Sequence, residues 1–248
     1  MRKLTAAIAC RNTGVRLYGK PIQNLDTEKN ITVLDNLLSC ISSIECIDEI
    51  CLGISNGKEN EIYKDIAEQK GIKFIVGDEV DVLDRLIKCG KKTEATDIFR
   101  VTSECPFLWY EEIESAWKVH CNKNSDYTSY DNLIDGIGFS FTSMEAFLKS
   151  HEKGSTEHRS EFCHLYIREN MNEFKTTILD TPKNFIRKDL RLTVDYPEDL
   201  VLCRAIYNEF KHLAPRIPIE SIVSFLDENP KLIKLVQPFT EAGYATMC

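Results

Sequence analysis

Short apolar runs alternate with amphipathic stretches through the first half of the chain, and this alternation restricts its fold more than any other feature. Leu4-Thr5-Ala6-Ala7-Ile8-Ala9, Glu49 to Ile54, Lys73 to Val76 and Asp97 to Thr102 read as strands. Between them, Ile31, Leu34, Leu37, Leu38 and Ile41 recur at helical spacing. Residues 57 to 70, Asp81 to Lys92 and about Tyr110 to His120 complete the helical set, and Asp81 supplies an acidic cap. Strand and helix in alternation predict an α/β fold with a mostly parallel sheet.

The second half is less regular. Asp126 to Tyr130, Lys175 to Leu179 and Leu190 to Val194 read as strands, Asn132 to Gly138 as a loop, and Thr142 to Ser150 and Phe162 to Asn170 as helices. Residues 151 to 161 are polar and expected on the surface. Pro197-Glu198-Asp199 opens a helix that runs to about Lys211, because Pro suits the first turn and acidic groups favour the positive end of the helix dipole. No repeat or linker divides the 248 residues, so residues 1–248 are expected to form one domain with a sizeable core.

Several function classes are disfavoured by composition. A net charge of -8 argues against a general nucleic-acid binder, which needs a basic face. Ten cysteines contain no C-x-x-C pair, so a structural zinc site is not expected, and in a chain of this size they read as small buried hydrophobes and not as the disulfide framework of a small secreted protein. No apolar run approaches the roughly 20 residues of a membrane span. Met1-Arg2-Lys3 leads into a strand, not a signal sequence, so a cytoplasmic location is expected.

Chemistry is concentrated after the strands, where open α/β sheets place their ligands. Behind the first strand lies Cys10-Arg-Asn-Thr-Gly-Val-Arg-Leu-Tyr-Gly-Lys20, a cationic loop whose glycines expose backbone N–H groups to an anion. Gly14 and Gly19-Lys20 nearly spell a P-loop, but Pro21 stands where that motif needs a hydroxyl, which opposes a P-loop NTPase or kinase. Two further strand ends carry carboxylates, Glu104 in Arg100-Val-Thr-Ser-Glu-Cys-Pro-Phe107 and Asp195 in Arg191-Leu-Thr-Val-Asp-Tyr-Pro-Glu-Asp-Leu200. Together with nucleotide phosphates they make a plausible Mg²⁺ site.

The four segments Cys10–Lys20, Gly77-Asp-Glu-Val-Asp-Val-Leu-Asp-Arg85, Arg100–Phe107 and Arg191–Leu200 occur in the order found in the cytidylyltransferases of surface-polysaccharide synthesis. The chain resembles above all the branch named for spore coat polysaccharide protein F, related to the enzymes that make CMP-activated sialic and octulosonic acids. The likeness covers most of residues 4 to 211. It implies a nucleotide-diphospho-sugar transferase fold, a Rossmann-like three-layer sandwich with a mixed, mostly parallel sheet. It also implies Mg²⁺-dependent attack by a sugar-type acceptor on the α-phosphate of CTP, with release of pyrophosphate.

By the same resemblance, Lys20 and Arg11 act on the phosphates, and Glu104 and Asp195 hold the metal. Cys10, Asn12, Gly14, Arg16, Asp84, Arg85, Thr102 and Ser103 complete the nucleotide site. Residues from about 130 to 180 are expected to bind the acceptor and to pair the chain into a homodimer. The chain departs from the family pattern at Gly14-Val15, Tyr18 and Ser103-Glu104, and the element Glu161-Phe-Cys-His-Leu-Tyr166 is only partly retained, which points to an unusual acceptor. A catalytically silent nucleotide or sugar-nucleotide binder is the rival reading. His158 and His164 lack metal-ligand spacing and read as structural.

Overall fold

The first predicted strand runs from Leu4 to Cys10 and serves two cores, because successive side chains leave a strand on opposite faces. Leu4, Ala6, Ile8 and Cys10 enter one apolar cluster and Ala7 the other. A computed structural model describes residues 2–14 and 16–244. In chain order it contains β1 (Leu4–Cys10), the hairpin strands β2 (Asn24–Asp26) and β3 (Ile31–Thr32), α1 (Val33–Ile41), β4 (Glu49–Ser55), α2 (Ile62–Lys70), β5 (Lys73–Gly77), α3 (Val82–Thr93), β6 (Asp97–Arg100) and α4 (Ile113–Asn122). There follow β7 (Tyr127–Tyr130), β8 (Ser140–Ser143), α5 (Met144–Lys153), the short α6 (Thr156–Arg159) and α7 (Leu165–Glu169), β9 (Thr176–Leu179), α8 (Pro197–Phe210), α9 (Ile219–Glu228) and α10 (Pro230–Tyr244).

Seven strands form one sheet in the order β5-β4-β1-β6-β8-β7-β9. All pairings are parallel except those of β8 with β6 and with β7. Helix α1, α2, α4, α8 and α9 residues cover one face in the larger cluster, whereas Val82, Leu83, Leu86 and Ile87 of α3 and Phe147 of α5 cover the other. The layered α/β architecture expected from the sequence is therefore present. All nine cysteines among the described residues are free, and seven of them are buried. No helix among the described residues is long and apolar enough to cross a membrane.

Two expectations need correction. The helix predicted from Thr142 begins only at Met144, because Ser140–Ser143 pairs with β6 and β7 as β8 and the Ser143 hydroxyl then caps the Ala146 N–H at 3.1 Å. Residues 151 to 161, which carry the end of α5 and the short α6, are exposed or half-buried, as expected. Leu190 to Val194 is not a strand. Apart from a single bridge between Asp135 and Arg191, its N–H groups bond to its own preceding turn and to two loops: Leu190 N–H to the Arg187 carbonyl (3.1 Å), Leu192 N–H to the Asp135 carbonyl (2.7 Å) and Val194 N–H to the Glu104 carbonyl (3.0 Å). An apolar run that satisfies its N–H groups on loops looks like a strand in sequence, since burial is the same.

Gly136 makes that docking possible. Its φ is +97°, and a Cβ there would lie 2.4 Å from the carbonyl carbon of Leu192. Gly136→Ala is expected to lower the unfolding free energy by more than about 1 kcal/mol, measured by urea denaturation, because both the backbone conformation and the contact are lost.

Candidate active site

The carboxyl ends of β1, β6 and β7 open into a cavity of about 730 Å³. Arg11, Asn12, Gly14, Arg16 and Lys20 line it from the loop after β1, Thr102, Ser103 and Glu104 from the loop after β6, Arg85 from α3, and Asp195 from the turn before α8. The fold thus gathers ten of the twelve residues singled out from sequence. Cys10 and Asp84 are not among the lining residues. The Cys10 thiol is fully buried, and burial pushes its pKa up, while Asp84 pairs with Lys88 at 2.5 Å one turn along α3.

The loop after β1 is fixed by buried polar contacts. Asn12 donates its backbone N–H to Asn60 Oδ1 (2.7 Å), its side chain donates to the Glu59 carbonyl, and its Oδ1 accepts from Tyr63 (2.7 Å). With its side-chain groups so engaged, Asn12 serves first as a staple of the loop. Asn60 and Tyr63 lie about fifty residues away, and nothing local marked them. A Cβ at Gly14 would lie 2.6 Å from the Leu17 carbonyl oxygen, so the tight turn accounts for glycine where the related motif has a hydroxyl residue. Its neighbour Val15 lies outside the described residues. Lys20 enters a short 3-10 turn, Lys20–Ile22, and not an α-helix, as Pro21 led the sequence to suggest.

At the centre stands Arg191, a guanidinium with 1 % side-chain exposure. Its Nη1 donates to Asp135 (2.5 Å), Nη2 to Asp195 (2.5 Å) and Nε to Asp199 (3.0 Å). Asp199 in turn accepts the backbone N–H groups of Asp195 and Tyr196, both at 2.9 Å, and so caps α8. Asp195 also accepts from Lys20 and, at 3.1 Å, from Arg16. Burial alone would raise the Asp195 pKa, but Lys20, Arg191 and Arg16 outweigh it and hold the carboxyl below its ordinary value. Asp135 behaves in the opposite way: burial raises its pKa to about 6, aided by Asp195, Asp199 and Glu104 and only partly opposed by Arg191.

Asp135 was not singled out from the sequence. Its Asp-Gly dipeptide announces a turn, but the partner that gives it a role lies 56 residues further on. Arg85 differs from Arg191 in having no carboxylate partner in the hydrogen bonds it makes. Its Nη1 donates to the carbonyls of Gly53 (2.8 Å) and Cys10 (3.3 Å), tying β1 to β4, and its buried Nε has no partner among the described residues. Burial lowers its pKa from the usual arginine value.

Opposite the basic loop, the cavity wall carries Tyr127, Ser129, Asp131, Ser140, His164, Arg168 and Arg100. Arg168 pairs with Asp131 at 2.6 Å, and Arg100 donates to the Glu161 carbonyl at 2.8 Å. His164 is held neutral by burial and by Arg100 and Arg168, all of which lower its pKa. Its ring stacks near Phe147, with centroids 5.6 Å apart, while Nε2 meets Ser140 at 3.3 Å and Thr142 at 3.2 Å. His158 instead bonds Glu169 at 2.8 Å.

The sequence profile of the cytidylyltransferases matches residues 6–225. The chain is 27% identical over 242 residues to an uncharacterized protein of Methanocaldococcus jannaschii, covering 98% of both chains. It is 24% identical over 232 residues to the spore coat polysaccharide biosynthesis protein SpsF of Bacillus subtilis, covering 93% of this chain and 96% of that one. The solved structure of a cytidylyltransferase from Leptospira borgpetersenii superimposes with a TM-score of 0.84 at 18% identity, covering 94% of this chain and 97% of that one.

Replacement of Arg191 tests the cluster. Arg191→Met leaves three aspartates without their shared cation and is expected to cost about 3–5 kcal/mol at pH 7 by chemical denaturation. The deficit should shrink on going to pH 5. Without the cation the folded-state carboxyl pKa values rise above the usual ~3.9, so the folded protein takes up protons that the unfolded chain does not. Wild-type Asp135 follows the same sign: its contribution is fully present below ~3.9 and is lost as pH rises through about 6. Asp195, with its lowered pKa, stabilises above ~3.9 and loses that contribution as pH falls.

Proposed function

The chain belongs to the cytidylyltransferase family and is a nucleotidyltransferase, and we propose that it transfers CMP from CTP to a hydroxyl of a sugar or sugar acid, releasing pyrophosphate, in the synthesis of a surface glycan. The observation that carries this reading is the convergence of Arg11, Arg16 and Lys20 with Glu104 and Asp195 around one cavity at the carboxyl ends of parallel strands. Nucleotidyl transfer asks chiefly for alignment and charge neutralisation. The acceptor oxygen forms a bond to the α-phosphorus as the bond from that phosphorus to the bridging oxygen breaks. Lys20, Arg11 and Arg16 would hold the β- and γ-phosphates and offset the charge that collects on the departing pyrophosphate.

The donor chemistry of the site fits a divalent cation. Glu104 and Asp195 both line the cavity and offer the hard carboxylate oxygens that Mg²⁺ takes. The loop carrying Glu104 and the turn carrying Asp195 are tied together through the Val194 N–H. No group of three or more His, Cys, Asp or Glu poised around a metal is found among the described residues. A cation would therefore be held by Glu104 and Asp195 together with the phosphates, the sparse carboxylate set that Mg²⁺ accepts. When bound it supplies charge neutralisation between the triphosphate and the carboxylates.

For the acceptor, Arg100, Arg168 and Lys188 on the cavity wall favour a substrate with an anionic group, as a sugar acid presents. Tyr127, Ser129 and Ser140 offer hydroxyls beside them for a polyol. Of these, Ser140 and Arg168 belong to the segment from about 130 to 180. We further propose that the enzyme works in the cytoplasm as a homodimer.

Pyrophosphate release from CTP and Mg²⁺ with a pool of sugar acids and sugar phosphates tests the reading. Binding of CTP without release for any acceptor would refute the transfer and favour a silent binder. Lys20→Ala is expected to lower kcat/KM for CTP by about 100-fold or more, the usual loss when one donor to a developing oxyanion is removed. Glu104→Ala should raise the Mg²⁺ concentration needed for half-maximal rate while leaving the melting temperature of the metal-free protein within a few degrees, since among the described residues the Glu104 carboxylate bonds only Ser103, at 3.1 Å.

A further inference from the structure

Arg16 is held by more than its own loop. Besides its ion pair with Asp195 at 3.1 Å, its guanidinium carbon lies 5.1 Å from the centroid of the Tyr196 ring. Tyr196 directly follows Asp195, and its ring is stacked on that of Phe239, with centroids 4.0 Å apart and planes 17° from parallel. Phe239 comes from α10, beyond the 6–225 segment matched by the family profile. The helix is seated independently of this contact, through Val236 and Thr240, which are 1 % and 7 % exposed. Pro238, inside α10, has no N–H for the residue 234 carbonyl, so one intrahelical hydrogen bond is missing next to Phe239 although the helix runs on to Tyr244.

These contacts form a chain from the last helix to the phosphate end of the cavity. Arg16 has a side chain 42 % exposed, and its ion pair uses the same Asp195 oxygen that accepts from Lys20. Were Asp195 to hold a metal, that ion pair would weaken, and the contact with Tyr196 would keep the guanidinium in place. Tyr196 holds Arg16 by a side-chain hydrogen bond as well as by its ring, and a guanidinium has further N–H groups with which to meet phosphate.

We propose that Phe239 is a positioning residue for the triphosphate: it fixes the Tyr196 ring, and that ring holds Arg16 toward the phosphates of CTP. The proposal rests on the assignment of the cavity as a CTP site. It gives α10 a part in substrate affinity and not in the chemical step.

The test compares wild type, Phe239→Leu, Phe239→Tyr, Arg16→Ala and the double variant Arg16→Ala/Phe239→Leu by calorimetric titration with CTP and by steady-state kinetics. Phe239→Leu keeps apolar bulk and removes the stack. It is expected to raise Kd and KM for CTP about 3- to 10-fold, with kcat within twofold of wild type. Phe239→Tyr should bind CTP as wild type does. In the Arg16→Ala background, Phe239→Leu should change Kd by less than twofold, since both act through one contact. Tyr196→Leu breaks the chain at its middle, should reproduce the loss, and stands in if Phe239→Leu fails to fold. A lowered melting temperature with unchanged Kd for CTP would make Phe239 a packing residue only and overturn the proposal, as would an equal loss with and without Arg16. Failure of the wild-type protein to bind CTP would instead overturn the assignment of the cavity itself.

Discussion

A buried arginine shared among three aspartates governs the arrangement of the site. Arg191 is almost without solvent contact, and its three nitrogen positions each reach a different carboxylate. A lone guanidinium at such a position would cost several kcal/mol in lost hydration, and so would any of the three carboxylates. Each group is tolerable only because the others are present. The consequence is geometric: the loop holding Asp135, the turn holding Asp195 and the start of α8 are drawn to one point. The Gly136 backbone lies against residues 192–193 for the same reason.

That arrangement also leaves one carboxylate available. Asp199 is committed to two backbone N–H groups and to Arg191, and Asp135 is nearly buried. Asp195 alone reaches the basic loop, where Lys20 and Arg16 meet it. On the proposed reading, the two cations stand where the phosphates of CTP would come, with a carboxylate as placeholder. Binding then exchanges one set of partners for another on groups already in position, so little side-chain ordering remains to oppose it. The aromatic pair Tyr196–Phe239 extends this preorganisation to the C-terminal helix.

Much of the fold was legible because its signals are local. The strand runs and the helical spacing before residue 125 gave elements that the structure reproduces within a few residues, and the Asp81 cap is present, with its side chain accepting the Asp84 N–H at 2.8 Å. The errors fell where local signals are ambiguous. Ser140–Ser143 is a strand so short that the helix after it dominates the pattern, and Leu190–Val194 has the apolar character of a strand without a strand's partners. The candidate site was legible in part for a similar reason. Charged loops after strands can be listed from sequence, but whether Asn12 meets a ligand or Tyr63 depends on a residue fifty positions away.

The sequence by itself determined the alternation of strand and helix, the basic loop, and the placement of Glu104 and Asp195 just after buried segments. These follow from periodicity, chain stiffness and hydrogen-bonding capacity, which act over a few residues. Only the tertiary structure decided which charges share a partner: that Asp135 joins Arg191, that Asp195 faces Lys20, that Asp84 turns away, and that Phe239 reaches Tyr196. Electrostatic and stacking contacts depend on distance in space and on burial. Both are set by how the sheet's parallel order brings remote loops to one edge, and neither is written in the spacing along the chain.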